Sequence, residues 1–480
     1  MDRIYKGSWV TIISLTSESA HEGIPLVDKT IPRVEQFVCE VDGMRFATAM
    51  PTLKQQVQRS TWATRAWTLQ EAMLSPRCLY FTPHQVYWEC NSSQCCESFD
   101  ESSSPFHSRS HEEKGRSAGS CDCHGDSDGA FGTGVFKSPS VFPPHNEGKE
   151  LVDRRQRIYK RLAEEYSRRA MSYDSDALDA LGAILDEIKS TFWQEGYFWA
   201  IPVEKLPILL GVTFRENCRR RDEFPSWSWT GWSGALEFDV SEGPDGYEWH
   251  RDLDRPRFRA WKHEQGQLKL LYESYPERIQ QSVQELSRLR VCNDKHRAPS
   301  GRLYDIVGEL AFAPRLEPPD IGTQFSENQL PRLLFAEIST ASLDWKPLRL
   351  FNSEAEQEEH IPLFRYAMTG QCNGVPLLLH CYSHDTLKLV EARAGKPLDL
   401  LLLTRNSYLL IEWIRTPASC RDSEVPVAKR IAYLSFSSLK SHWGLPESVK
   451  EKLKEFEDLM FPLLWVFRKG NTENRFLALA

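Results

Sequence analysis

Residues 60–90, STWATRAWTLQEAMLSPRCLYFTPHQVYWEC, constrain the fold more than any other stretch of the chain. The hydroxyl of Ser60 or Thr61 can cap a helix start by accepting a backbone N–H that has no partner within the helix. Apolar side chains then recur at helical spacing on one face: Trp62, Ala66, Leu69 and Met73. Because Pro76 disfavours helical torsion angles in the residue before it, the helix is expected to end at Ser75.

Two short runs rich in aromatic and β-branched residues follow this helix, at 78–81 and 86–90. The residues between them, Thr82-Pro83-His84-Gln85, are typical of a turn. The segment therefore predicts one helix followed by a tight β-hairpin.

A second face of the predicted helix carries Trp67 and Glu71, with Leu74 beyond them. Side chains four residues apart lie one above the other on a helix. A carboxylate between an indole and an aliphatic side chain is partly desolvated, which raises its pKa and suits acid/base or charge-stabilising chemistry. The alternative is a surface glutamate paired with Arg65, Arg77 or a backbone amide, and spacing alone favours that alternative.

The same stretch resembles the closing motif of the fungal heterokaryon incompatibility (HET) domain. The resemblance rests on RAWTLQE at 65–71, LSPR at 74–77 and VYWEC at 86–90, with Ala66 where the family usually has glycine. The motif residues that it singles out are Arg65, Trp67, Leu69, Gln70, Glu71, Trp88 and Cys90.

The N-terminus extends this resemblance to the middle of the domain. The run WVTIISL at 9–15 does not alternate, which is typical of a strand buried on both faces of a sheet. MDRIY at 1–5 and GIPL at 23–26 are similar to the family's M-x-x-I-Y and G-L-P segments, whereas its earlier W-G and D-x-x-C-I-x-Q segments do not occur. The resemblance therefore implies an N-terminally truncated HET domain, either a truncated gene model or product, or a remnant that borrows surface from a partner.

Composition shifts divide the chain into four predicted parts. Residues 1–90 are a partial HET domain, 91–147 a flexible, low-complexity insertion, 148–222 a helical linker region and 223–480 a β-rich domain. For the first part the resemblance implies an α/β fold, with a TIR-like parallel sheet that lacks its first strands. The β-rich part is expected to be a sandwich or barrel, so the whole chain is α+β.

The linker and the β-rich part carry further motifs. Helical stripes are predicted within 148–166 and 176–190, and Lys429–Tyr433 resembles the end region of these proteins. Residues 225–232, PSWSWTGW, alternate with period two and resemble a downstream signature of the same family. The alternation predicts a strand whose indoles face the core, an interpretation favoured over base or sugar stacking for Trp227, Trp229 and Trp232.

Charge and composition exclude several classes of protein. A net charge of −8 over 480 residues argues against a dedicated binder of polyphosphate chains, so no nucleic-acid partner is expected. No apolar run is long enough to span a bilayer, and a cytoplasmic protein is expected. The cysteines at 90, 95, 96, 121 and 123 and His124 lack zinc-site spacing, so no metal site is predicted.

The resemblance implies a function in fungal non-self recognition and programmed cell death. HET domains look like distant relatives of TIR domains, some of which cleave NAD with a glutamate in a W-x-x-x-E setting similar to Trp67–Glu71. Three hypotheses follow. They are a signalling module that works by assembly with protein partners or itself, an NAD glycohydrolase in which Glu71 is catalytic, and an inactive remnant. No cofactor is expected, and NAD enters only as a substrate.

Overall fold

The computed structural model describes sixteen stretches of the chain: 2–17, 21–25, 27–90, 94–98, 149–191, 195–215, 217–238, 258–274, 315–348, 367–372, 375–381, 383–403, 407–421, 424–438, 447–454 and 472–480. The chain forms two compact units, an N-terminal unit, Met1–Gln194, and a C-terminal unit, Glu195–Ala480. The insertion predicted at 91–147 lies outside the described residues except for 94–98. The mixed α/β class with a β-rich C-terminal region is confirmed.

The described part of the N-terminal unit contains six α-helices and six strands. The helices are α1 (Asp2–Lys6), α2 (Leu53–Arg59), α3 (Thr61–Thr64), α4 (Thr68–Leu74), α5 (Lys149–Ser167) and α6 (Asp179–Thr191), with a 3₁₀ turn at Asp174–Ala177. The strands are β1 (Thr11–Ser14), β2 (Val38–Val41), β3 (Met44–Ala47), β4 (Arg77–Phe81), β5 (Val86–Cys90) and β6 (Gln94–Cys96).

Four of these strands form one mixed sheet in the order β1-β4-β5-β6. The predicted hairpin is confirmed as β4 and β5, and the Thr82 hydroxyl holds its turn by accepting the N–H groups of His84 and Gln85. Within this sheet only β1 and β4 run parallel among the described strands, so the predicted parallel sheet is seen as a single parallel pair. The pair β4 and β5 is antiparallel because the turn between them is short, and a short turn can join antiparallel strands only.

Strand β1 is not buried on both faces, which corrects the expectation from its apolar run. Ile13 and Leu15 are buried in the core of the unit, but Ile12 is 56% exposed. Successive side chains of a strand point to opposite faces, so one face of β1 packs on the core while the other faces solvent. A continuous apolar run therefore did not distinguish a covered strand from one with an open apolar face.

The predicted helix over residues 60–74 is two short helices, α3 and α4. The expected cap is confirmed, since the Ser60 hydroxyl accepts the N–H of Ala63. Arg65 has extended torsion angles, and the backbone beside it bonds to Ala170, with Ala66 N–H donating to Ala170 and Ala170 N–H to Thr64. The helix breaks here because these backbone groups bond to another segment instead of the preceding turn.

The helices predicted in the linker region are present as α5 and α6, which belong to the N-terminal unit. Most of their predicted apolar stripes are buried: Ile158, Leu162, Tyr166, Leu181, Leu185 and Ile188. Leu178, predicted in the second stripe, is only partly buried, and the side chain of Leu151 lies outside the described residues. The boundary between the compact units, after residue 194, thus falls inside the predicted linker at 148–222.

The C-terminal unit is built mostly from strands. They are β7 (Tyr197–Phe198), β8 (Ile201–Pro202), β9 (Val212–Phe214), β10 (Arg219–Arg220), β11 (Trp232–Ser233), β12 (Leu236–Phe238), β13 (Phe258–Glu264), β14 (Gln267–Glu273), β15 (Leu334–Pro347), β16 (Ala367–Cys372), β17 (Val375–His380), β18 (Pro397–Leu402), β19 (Ser407–Arg415), β20 (Val427–Ser438) and β21 (Thr472–Leu479). Its described α-helices are α7 (Leu206–Leu209), α8 (His384–Glu391) and α9 (Glu447–Lys454).

Six strands close into a barrel, one of the two architectures expected for this region. The ring runs β15-β16-β17-β20-β19-β18 and returns to β15, with every neighbouring pair antiparallel. Alternate residues of these strands fill the interior, among them Leu343, Trp345, Leu379, Leu400, Leu410, Leu434 and Phe436. Closure removes the unpaired edges that an open sheet of this size would leave.

Trp227 and Trp229 of the motif at 225–232 are buried in the core, as expected, but these residues do not form the predicted strand. Trp227 and Trp229 are fully buried, yet so are Ser226 and Ser228, so the two side-chain types do not lie on separate faces. The Ser228 hydroxyl accepts the N–H of Thr230 and caps a 3₁₀ turn at Trp229–Gly231. Serine favours such local bonds to the backbone, and here they override the period-two pattern.

The barrel interior should carry much of the stability of the C-terminal unit. Leu434 is fully buried there, and its replacement in Leu434→Ala should lower the free energy of unfolding by about 2–5 kcal/mol through lost burial and a residual cavity. Leu270→Ala is the matched control, because Leu270 is 47% exposed on β14 and should cost about 0.5 kcal/mol or less. Denaturant unfolding of both variants checks this, and equal losses would contradict the assigned interior.

Candidate functional site

Glu71 lies on α4 with its side chain half-buried, and two side-chain donors hold its carboxylate. The Tyr5 hydroxyl donates to Oε1 at 3.1 Å, and the Trp62 indole N–H donates to Oε2 at 2.9 Å. The three side chains come from α1, α3 and α4. The carboxylate thus joins the N-terminal helix to both halves of the broken helix, and we call these three residues the Glu71 cluster.

The indole that meets Glu71 is Trp62 and not the predicted Trp67. Trp67 N–H donates instead to Asp176 Oδ2 at 3.3 Å. In an unbroken helix, residues nine apart lie on opposite faces, so Trp62 and Glu71 would point away from each other. The break at Arg65 turns the chain between them and allows the contact, which is why helical spacing selected the wrong indole.

Arg169 also belongs to this region, and no role was predicted for it from the sequence. Its guanidinium is buried and donates to the Arg65 carbonyl at 2.8 Å and to the Thr68 hydroxyl at 2.9 Å, and it lies 3.7 Å from Glu165. Burial lowers the pKa of Arg169 to about 10, while Glu165 and, more weakly, Glu71 act in the opposite direction. The buried position of this arginine does not follow from the residues around it in the sequence.

Tyr5 is held as a hydrogen-bond donor. Burial, followed by the charge and hydrogen bond of Glu71, raises the pKa of Tyr5 to about 12, so the phenol keeps its proton far above neutral pH. A chain of hydroxyls starts beside it, because Ser8 donates to the Tyr5 carbonyl and lies 3.2 Å from the Thr11 hydroxyl, which in turn lies 2.7 Å from that of Ser75.

The other motif residues of the N-terminal unit occupy structural positions. Leu69 and Gln70 are buried, and the Gln70 amide donates to the Asp179 carbonyl at 3.0 Å. Trp88 and Cys90 lie in the hairpin opposite Leu79 and Arg77. The arrangement can therefore hold one carboxylate in a fixed orientation among partly dry side chains. Within the described ranges, no three His, Cys, Asp or Glu side chains are placed to hold a metal ion.

The three tryptophans predicted in the second motif separate in the C-terminal unit. Trp227 stacks on Phe198 at 5.4 Å and its N–H donates to the Arg332 carbonyl, and Trp229 is buried. Trp232 instead stacks on Phe214 with ring centroids 4.4 Å apart and lines a cleft of about 1070 Å³. This motif thus contributes core and also one wall of a cavity.

A cysteine nucleophile in the C-terminal unit is not supported by the geometry. Cys381 is buried, and burial raises the pKa of its thiol to about 12, so the thiolate is not available near neutral pH. His384 and Asp385 begin α8, three and four residues further on.

Removing the Tyr5 hydroxyl should weaken the Glu71 cluster. Tyr5→Phe is expected to cost about 1 kcal/mol of unfolding free energy, because one donor to a carboxylate is lost at a half-exposed site. The folded pKa lies above the unfolded value of about 10, so the phenol's contribution is complete below pH ~10 and is lost as the pH rises towards 12.

The matched control is Tyr173→Phe, since Tyr173 is 70% exposed in the same unit. Denaturant unfolding between pH 7 and 11 should show a smaller alkaline loss for Tyr5→Phe than for the unmodified chain, with no change for the control. An unaltered pH profile in Tyr5→Phe would show that the phenol is not coupled to Glu71.

The comparisons with known proteins bear on this N-terminal unit. No helix of the described residues is long and apolar enough to cross a membrane. No curated protein and no solved structure matches the chain. A family model does match, over residues 1–71, which contain α1 to α3, β1 to β3 and the whole Glu71 cluster. Its description is "Heterokaryon incompatibility protein (HET)", and the N-terminal segment of this chain, up to Glu71, is similar to that family.

Proposed function

We propose that the chain is an HET-type signalling module that acts in the fungal cytoplasm, in non-self recognition and programmed cell death, by assembling with itself. The family match over residues 1–71 supports the biological class. The observation that carries the assembly is the open apolar edge of the N-terminal sheet. A TIR-like relationship, which the sequence resemblance implies, is part of the same proposal.

The open edge is formed by β1 and the residues around it. Among the described strands, β1 pairs with β4 on one side only. Trp9 is 87% exposed and Ile12 56% exposed, and Ile4 and Val10 are exposed beside them. A strand with unpaired N–H and C=O groups next to exposed apolar side chains is a template for pairing with another chain.

A second copy of the same edge satisfies these groups. Two β1 strands related by a two-fold axis can pair antiparallel, so each copy offers the same surface to the other and the two sheets become continuous. The apolar side chains around each β1 would then be covered in both copies. A charge on this edge opposes such pairing, as charged residues do on natural edge strands.

Ile12→Lys should therefore prevent self-association. The lysine places a charge on the exposed face of β1 without entering the core, so the fold of the monomer should persist. Ile414→Lys is the matched control, because Ile414 is 60% exposed in the C-terminal unit. Sedimentation velocity over a range of concentrations should give dimers or larger species for the unmodified chain and Ile414→Lys, and monomers for Ile12→Lys.

The same variants test the signalling role in cells. Full-level expression of the unmodified chain in a fungal host should reduce colony growth, and Ile12→Lys should restore it while Ile414→Lys does not. Normal growth with the unmodified chain would favour the inactive-remnant hypothesis. Reduced growth with Ile12→Lys at equal protein levels would exclude assembly through β1 as the active step.

A second candidate function is a TIR-like NAD glycohydrolase with Glu71 as the catalytic carboxylate. The observation that favours it is the fixed, half-buried position of that carboxylate against an indole N–H and a phenol. A carboxylate so placed can stabilise the positive charge that develops on the ribose as nicotinamide leaves. No other residue is assigned a chemical role in this candidate.

Nicotinamide release from NAD by the purified chain tests this candidate. If Glu71 is catalytic, Glu71→Gln should lower the rate at least a hundredfold, because a neutral amide cannot stabilise the developing cation. Glu40→Gln, on the exposed hairpin of β2 and β3, should leave the rate unchanged. Release equal in the unmodified chain, Glu71→Gln and a blank would retire the enzymatic hypothesis.

A further inference from the structure

The cleft of the C-terminal unit brings together the two motifs that the sequence singled out in this half of the chain. The cleft has a volume of about 1070 Å³. Its wall includes Ser226 and Trp232 of the first motif and Lys429 to Tyr433 of the second. The motifs are joined directly, since the backbone N–H of Arg430 donates to the Ser226 hydroxyl at 3.0 Å. A volume of this size is what drug-sized ligands occupy in proteins.

The lining of the cleft is positively charged although the chain as a whole is acidic. Seven lining side chains are arginine or lysine and three are carboxylates, of which Glu412 is shared by Lys429 and Arg393. Arg215 is paired with Glu237 outside the lining. Even after that pairing is counted, the cations exceed the carboxylates, and a concave surface of one sign focuses ions of the other.

Two of the cations are stacked on aromatic rings in one wall. Arg430 lies over the Phe214 ring at 4.8 Å, Phe214 stacks on Trp232, and Arg220 lies over the Trp232 ring at 5.7 Å. The two arginines thus cover the outer faces of the ring pair. Since these ring faces are taken, the wall favours a ligand bound through charge and hydrogen bonds over one held by base stacking.

Arg430 is a buried cation without a counter-ion in the described part of the chain. Its guanidinium donates to the carbonyls of Leu210 and Val212, its Nε has no hydrogen-bond partner there, and no described carboxylate lies within 4 Å. Burial lowers its pKa to about 9. An uncompensated buried charge is costly to the fold, and an anion in the cleft would offset part of that cost.

Other cations of the cleft reach solvent. Arg332 is exposed and has no carboxylate within 4 Å among the described residues. Arg415 lies over the Phe325 ring at 5.8 Å and its hydrogen bond goes to a backbone carbonyl, so no acid among the described residues neutralises its charge. Planar guanidinium groups match the oxygens of phosphate in two-point contacts.

From the convergence of these cations on one cavity, we infer that the cleft of the C-terminal unit binds a small molecule bearing several phosphate groups. Arg332 and Arg415 bind phosphate oxygens directly, and Arg430 supplies a buried positive charge behind them. A nucleoside polyphosphate, an inositol polyphosphate and free polyphosphate share this chemistry. The lining of this site belongs to the C-terminal unit, whereas the Glu71 cluster and β1 belong to the N-terminal unit.

Titration calorimetry of the full chain with tripolyphosphate, ATP and inositol hexakisphosphate, at constant ionic strength, tests the inference. At least one probe should bind with a dissociation constant in the micromolar range and one-to-one stoichiometry, and the ranking of the three distinguishes the source of the phosphates. Sulfate at the same concentration should bind at least tenfold more weakly. Affinity should fall as salt is raised, because the solvent-facing contacts are screened.

Charge-reversal variants assign the binding to the cleft. Arg332→Glu and Arg415→Glu should each weaken the best probe at least tenfold. Lys269→Glu and Lys346→Glu carry the same change on exposed side chains outside the lining and should leave affinity within twofold. The melting temperature of each variant without ligand shows whether it folds, and Arg332, being exposed, should tolerate the change. Absence of binding by all three probes at 1 mM, or equal losses in the control variants, would overturn the inference.

Discussion

The backbone bridge between Arg65 and Ala170 sets the geometry of the N-terminal unit. It takes hydrogen bonds away from the helix that the sequence would otherwise form and divides it into α3 and α4. The bend brings Trp62 onto Glu71, leaves Trp67 to Asp176, and places the carbonyl of Arg65 where buried Arg169 can donate to it. The Glu71 cluster, and every chemical role considered for it, depends on this one interruption.

Local sequence chemistry accounted for what depends on neighbouring residues. The Ser60 cap, the β4–β5 hairpin and the apolar stripes of α5 and α6 were predictable because each follows from residues a few positions apart. The break at Arg65 was not, because its cause lies at Ala170, far along the chain. The same reason explains the choice of Trp67 over Trp62, since a spacing argument assumes an unbroken helix.

The periodicity of apolar residues predicted the presence of strands better than it predicted which of their faces are buried. Residues of the barrel strands alternate between the interior and the outer surface, and a β-rich region was expected here. Closure of the barrel depends on β15, which pairs with β18 along one edge and with β16 along the other. At β1 the run of apolar residues is equally clear, but Ile12 faces solvent. At 225–232 the alternation is present without a strand, since the serines bond to the backbone and are buried with the tryptophans.

The net charge of the whole chain does not predict the charge around an individual site. A total of −8 is a sum over two compact units, and it argues against a surface that attracts polyanions everywhere. It does not restrict where individual charges lie, and the fold gathers arginines from segments that are distant in sequence around one cavity while Arg430 is buried behind them. The field that a ligand meets is set by charges within about a Debye length, roughly 8–10 Å, so the local excess outweighs the total. An acidic protein can therefore present a site for anions, and the position of Arg430 beside Ser226 makes that site part of the core that holds the C-terminal unit together.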